Sequence, residues 1–146
     1  MVNRINIKKV TPAAYKTMLA LDDYSSNTKL NPIYRELIRI RASQINKCVY
    51  CIDLHTTDAR ELGETEQRIY ALSAWQESPL FNDEEKALLA LTEEITNLPV
   101  KGVSDEVYLN AAKYFSNESI ADVIMVILTV SAWNIIGVST QLQYAK

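Results

Sequence analysis

From Val123 to Ala145 the chain carries no charged side chain, and this run limits the fold more than any other feature of the sequence. It is long enough to cross a bilayer. Thr129, Ser131, Asn134, Ser139, Thr140, Gln141 and Gln143 interrupt it, however, and favour a helix buried at the centre of a soluble bundle, with a share in a subunit interface. The segment Val123 to Leu128 is β-branched enough to suggest a strand. A cap at Ser116 or Asn117, the length of the run and the lack of any partner strand argue for helix instead.

The rest of the chain supplies helices to surround it. Only 3 Gly and 4 Pro occur in 146 residues, too few chain breaks for a sheet protein with many turns. Thr11-Pro12 and Asn31-Pro32 each pair a cap with a proline suited to the first helical position. The first opens a short helix ending near Tyr24, and the second a helix to about Ile45. Asn46 is expected to cap the next helix, putting Cys48 in its first turn, and Gly63 to end it. Thr65 starts a helix through Ile69, Leu72 and Trp75. Asn82 with Glu85 forms a capping-box pattern for a helix that halts at Pro99. A loop around Gly102 follows, and Ser104 caps a helix bearing Tyr108, Ala111, Ala112 and Phe115. The expected fold is all-α, a single-domain bundle of about seven helices over residues 1–146.

Chemistry concentrates in Cys48-Val49-Tyr50-Cys51-Ile52-Asp53-Leu54-His55, which holds both cysteines and the only histidine. On a helix Cys48, Cys51 and His55 share an arc of roughly 60°. A thiol reacts as its thiolate and needs a helix N-terminus or a base to form one near neutral pH. His55 lies one turn beyond Cys51, where it can take the thiol proton. A thiolate that attacks a peroxide becomes a sulfenic acid, which a second thiol converts to a disulfide; Cys48 is placed to be that resolving thiol. An external dithiol must then reduce the pair.

Other readings of these residues stand beside this one. Cys48, Cys51 and His55, with water or Glu36, could hold a catalytic zinc, or serve a non-redox sensor; a structural zinc lacks its fourth ligand. Inert packing of buried cysteines is a third reading. A thioredoxin-like site is disfavoured because no strand precedes Asn46. Glu36 reads from pattern alone as a solvated i, i+3 pair with Arg39. Tyr34, Tyr50 and Trp133 read as packing aromatics, and Asn134 as a satisfied buried amide.

With these residues in view the chain resembles the carboxymuconolactone decarboxylase superfamily, in its AhpD-like alkylhydroperoxidase branch. The likeness runs through Arg35-Glu36-Leu37-Ile38, Arg41-Ala42-Ser43-Gln44-Ile45-Asn46, the C-x-x-C-x-x-x-H core, Ala59-Arg60-Glu61-Leu62-Gly63, Tyr70-Ala71-Leu72-Ser73-Ala74-Trp75 and Ala132-Trp133-Asn134. The resemblance implies an all-helical fold assembling as trimers or hexamers and a thiol-dependent peroxidase. In it Cys51 attacks, Cys48 resolves, and Glu36 joins His55 in a proton relay. The implied partners are a hydroperoxide and a lipoyl- or thioredoxin-type dithiol, with no cofactor. Two positions depart from the pattern: Tyr50 stands where the best-known peroxidase of the branch has histidine, and Lys47 where many relatives have glycine. Disulfide oxidoreduction without peroxidase activity is the nearest alternative. The decarboxylases typically lack this cysteine pair.

A net charge of -3 and a pI near 5.2 give no general attraction for nucleic acid or an anionic membrane. Residues 1–10 contain no apolar run of signal-peptide length, so the expected location is cytoplasmic. The apolar circumference between Ile120 and Val138 exceeds what one face of a small bundle buries, and points to a cyclic homo-oligomer.

Overall fold

Capping chemistry decides where the helices of this chain begin and end in the computed structural model, which describes residues 4–143. The last two positions of the uncharged run lie outside the described residues. The elements are α1 (Ile7–Val10), α2 (Pro12–Ser26), α3 (Pro32–Ile45), α4 (Val49–Glu61) and α5 (Glu66–Ala71), which a 3-10 turn, Leu72–Ala74, extends. Then come α6 (Asp83–Thr96), α7 (Leu98–Lys101), α8 (Asp105–Ala111) and α9 (Asn117–Thr140), with no strand among the described residues. The protein is all-α.

Side chains of Asn31, Thr65, Ser104 and Ser116 accept backbone N–H bonds at the starts of α3, α5, α8 and α9, and Asn82 and Glu85 complete a reciprocal capping box on α6. Each satisfies a donor the helix itself cannot, worth about 1 kcal/mol. Gly63 takes φ 97° after α4, letting the Glu64 N–H reach the Ala59 carbonyl at 2.9 Å.

Nine α-helical segments occur among the described residues where about seven were expected. The additions are single turns, α1 capped by the Asn6 side chain, and α7. Pro99 does not halt α6, which ends at Thr96; it sits in the first turn of α7, where its missing N–H costs nothing.

At the centre lies α3, packed against α4, α6 and α9. Its Ile38 joins Leu88, Leu91, Phe115, Val123, Val126 and Ile127 in one core cluster. Leu37 and Ile40 join Ala59, Ile69, Leu72, Trp75, Phe81 and Leu89 in another. The tempting run Val123–Leu128 is helical. Yet α9 is not buried all round: Val123, Val126, Ile127 and Val130 face inward, whereas Ile124, Leu128, Ile135 and Val138 are exposed.

Candidate functional site

The site begins at the turn between α3 and α4. Asn46 does not cap α4: it closes α3 in helical conformation, and its side chain donates to Asn134 Oδ1 on α9 at 3.0 Å. Lys47 then adopts φ 56°, in the left-handed region. The Cys48 N–H bonds to the Ser43 carbonyl at 3.0 Å and the Lys47 N–H to that of Gln44 at 3.3 Å, the paired bonds of a Schellman ending. Cys48 is consequently the N-cap of α4 rather than part of its first turn, and its sulfur accepts the Cys51 N–H. An asparagine suits either side of a helix boundary, and the N-cap of α4 falls two positions later than the sequence suggested, at Cys48 rather than Asn46.

Cys48 and Cys51 are joined as a disulfide, and both are buried. From the next turn of α4, His55 Nδ1 lies 3.1 Å from Glu36 Oε2 on α3. Arg39 donates to the other oxygen of Glu36 at 2.6 Å, and to Ser26 Oγ at 2.8 Å and Ser25 Oγ at 3.2 Å on α2. The Glu36–Arg39 pair expected from the sequence exists, but it is buried rather than solvated, and Glu36 holds His55 as well.

Burial by itself would push the Glu36 carboxyl up; the His55 hydrogen bond and the Arg39 charge outweigh it and hold the group below the usual carboxylate range. An ionised Glu36 only accepts, so Nδ1 of His55 carries the hydrogen toward it. That leaves Nε2 as the basic nitrogen. Asp58, one turn after His55, brings a second carboxylate oxygen to 3.9 Å from Nδ1. Burial and the nearby Glu36 charge raise its pKa.

Cys51, His55, Arg39, Asp58 and Tyr50 line one cleft of about 670 Å³, with Trp133 and Ile136 of α9 and Tyr15 of α2 on its walls. Cys48 is not among the lining residues. Trp133 is seated by a hydrogen bond to Asp22 and an edge contact with Tyr15. Asn134 is the satisfied amide expected, donating to Ser43 Oγ at 2.9 Å. Tyr34 packs in the core against Phe115.

The structure brings Cys51, His55 and Glu36 to one side of the α3–α4 pair with Cys48 behind. Sequence reasoning missed Ser25, Ser26 and Asp58, and saw Arg39 only as a surface partner. The i, i+3 spacing of Asp58 from His55 was the one signal available. Glu36, His55 and Asp58 place ligand atoms within 4.8 Å of one another. The Arg39 guanidinium on Glu36 makes a poor neighbour for a cation there, and a disulfide leaves neither sulfur as the thiolate that zinc takes.

Residues 12–94 match the family described as Carboxymuconolactone decarboxylase family. The uncharacterised protein YdfG of Bacillus subtilis (strain 168) is 42% identical over 139 residues, 95% of each chain. A crystal structure of an Agrobacterium tumefaciens protein of unknown function, described there as a candidate antioxidant defence protein AhpD, superposes with a TM-score of 0.96 at 34% identity, covering 99% of both chains. The debrominase Bmp8, solved in complex with 2,3,4-tribromopyrrole, shares the fold at 18% identity and a TM-score of 0.84, covering 92% of this chain and 72% of its own.

Proposed function

Since this chain belongs to the carboxymuconolactone decarboxylase family and has an AhpD-like fold, we propose that it is a thiol-dependent peroxidase that reduces organic hydroperoxides through Cys51 and Cys48. The observation carrying the reading is Cys51 on the lining of a cleft shared with a histidine whose Nδ1 is held by a buried, ionised glutamate. His55 Nε2 takes the Cys51 proton. The thiolate attacks the terminal peroxide oxygen, the O–O bond breaks, and the alkoxide leaves as alcohol with the proton from His55. Cys48 then condenses with the Cys51 sulfenic acid, releasing water and giving the disulfide. An external dithiol of lipoyl or thioredoxin type returns both thiols in exchange for its own oxidation.

Several features support this division of labour. Cys51 lines the cleft, whereas Cys48 lies behind it as the cap of α4. Leu54, Trp133 and Ile136, which line the same cleft as Cys51, suit an apolar organic body on the substrate. Tyr50 takes the place of a histidine proton carrier, so proton delivery falls to His55, with Glu36 setting its tautomer. Metal binding would require the thiols to stay reduced and unpaired, whereas here the two sulfurs are bonded to each other and the Arg39 guanidinium occupies one oxygen of Glu36.

The test is a thiol count. Reduced protein given one equivalent of cumene hydroperoxide is expected to lose two thiols and gain one intramolecular disulfide. A Cys48→Ser variant should instead accumulate a dimedone adduct at Cys51, and Cys51→Ser none. No thiol loss relative to an untreated control would overturn the reading, and trapping only at Cys48 would exchange the two roles.

A further inference from the structure

Two of the three glycines, Gly63 and Gly102, sit between helices with positive φ, where glycine is the undemanding choice. Gly137 differs. It lies inside α9 among bulky apolar residues, is buried, and has no positive φ to explain it. A glycine within a helix costs about 1 kcal/mol relative to alanine. A Cβ built on Gly137 would fall 2.9 Å from Cys48 Sγ and 3.6 Å from Cys51 Sγ. Among the described residues, no other atom outside its own stretch of helix lies within 4 Å of that point. Carbon atoms rest at about 3.5–4.0 Å from their neighbours, so a methyl group at 2.9 Å from a sulfur forces something to move.

We propose that Gly137 is a positioning residue for the dithiol: the missing side chain leaves the hollow against α9 that Cys48 Sγ occupies while bonded to Cys51, and so favours the disulfide over the dithiol. The inference rests on the dithiol cycle proposed above, though not on the identity of the oxidant. In the disulfide, Cys48 Sγ is fixed twice, by the backbone of its capping position and by the bond to Cys51. It cannot retreat from a methyl group at position 137. Once two electrons and two protons are added, Cys48 can rotate about its Cα–Cβ bond and the Cys51 sulfur can open toward the cleft that it lines. Crowding at 137 thus penalises the oxidised form more than the reduced one.

The full-length chain, equilibrated with graded ratios of reduced to oxidised dithiothreitol and then alkylated, reports the disulfide fraction by mass. Gly137→Ala should be half-reduced at a ratio about tenfold lower than wild type, a potential about 30 mV less negative for this two-electron couple. An unchanged midpoint would overturn the proposal. Thermal melts of Gly137→Ala in the oxidised wild-type and the Cys48→Ala backgrounds give an independent readout. Alanine should destabilise the first and stabilise the second, where the facing sulfur is gone and only helix propensity remains. Equal destabilisation in both would overturn the assignment. If Gly137→Ala does not fold alone, recovery of folding by Cys48→Ala supports the proposal, and failure to recover refutes it. Neither readout uses a hydroperoxide, so a protein inert toward peroxides leaves both measurements valid.

Discussion

Glu36 keeps its charge where a carboxylate alone would not, because Arg39 and His55 each hold one of its oxygens. Its folded pKa lies below the usual value, so its contribution to stability is complete above the unfolded pKa and is lost as pH falls through the folded one. Glu36→Gln should flatten that acid limb. It should also cost about 3 kcal/mol at pH 7, because Arg39 is then buried without its counter-charge. Denaturant titration at pH 7 and at pH 4 measures both effects; an equal loss at the two pH values would count against a coupled charge. The cysteines and histidine were legible in the sequence because they are rare and adjacent. Glu36 was legible only through the family resemblance, since it falls at the border of an apolar stripe, and nothing in the spacing says that α4 turns back to bring His55 against that border.

The α3–α4 connection depends on Lys47 in a conformation that suits glycine. A side chain in the left-handed region costs roughly 1–2 kcal/mol, partly offset by the greater unfolded-state entropy of glycine. Lys47→Gly is therefore expected to stabilise the chain by about 0.5–1 kcal/mol, seen as a rise of about 2–4 °C in Tm. A fall in Tm would show that the Lys47 side chain contributes something the turn geometry does not reveal. The position also accounts physically for the glycine common in the family pattern. Most helix starts were legible because capping is local, as at Asn31, Thr65, Asn82, Ser104 and Ser116. Asn46 was misplaced because its partner is Asn134, 88 positions away, and no local pattern announces a bond of that range.

On the scale of the molecule, the uncharged run that most limited the fold proves to be two-faced. Val123, Val126, Ile127, Val130 and Asn134 of α9 are buried, and the helix packs against α2, α3, α4 and α6. Ile124, Leu128, Ile135 and Val138 follow one another at spacings of four, seven and three, forming one stripe, and their exposures are 37%, 48%, 67% and 45%. By length and composition α9 could cross a membrane. A spanning helix, however, meets lipid around most of its circumference, whereas here one side is committed to a core holding Thr129 and Asn134. A single apolar stripe on an otherwise packed helix suits a second protein surface, and a second copy of this chain would present the same apolar stripe to it. The chain is expected to self-associate through this stripe at micromolar concentration, with a light-scattering mass that is a multiple of the single chain. Leu128→Glu should shift that mass to the monomer while leaving helical content unchanged, because residue 128 takes no part in the buried face. A wild-type monomer, or a Leu128→Glu variant that still assembles, would remove the stripe as the interface. Wild-type protein that instead sediments with neutral phosphatidylcholine vesicles would assign the same face to lipid.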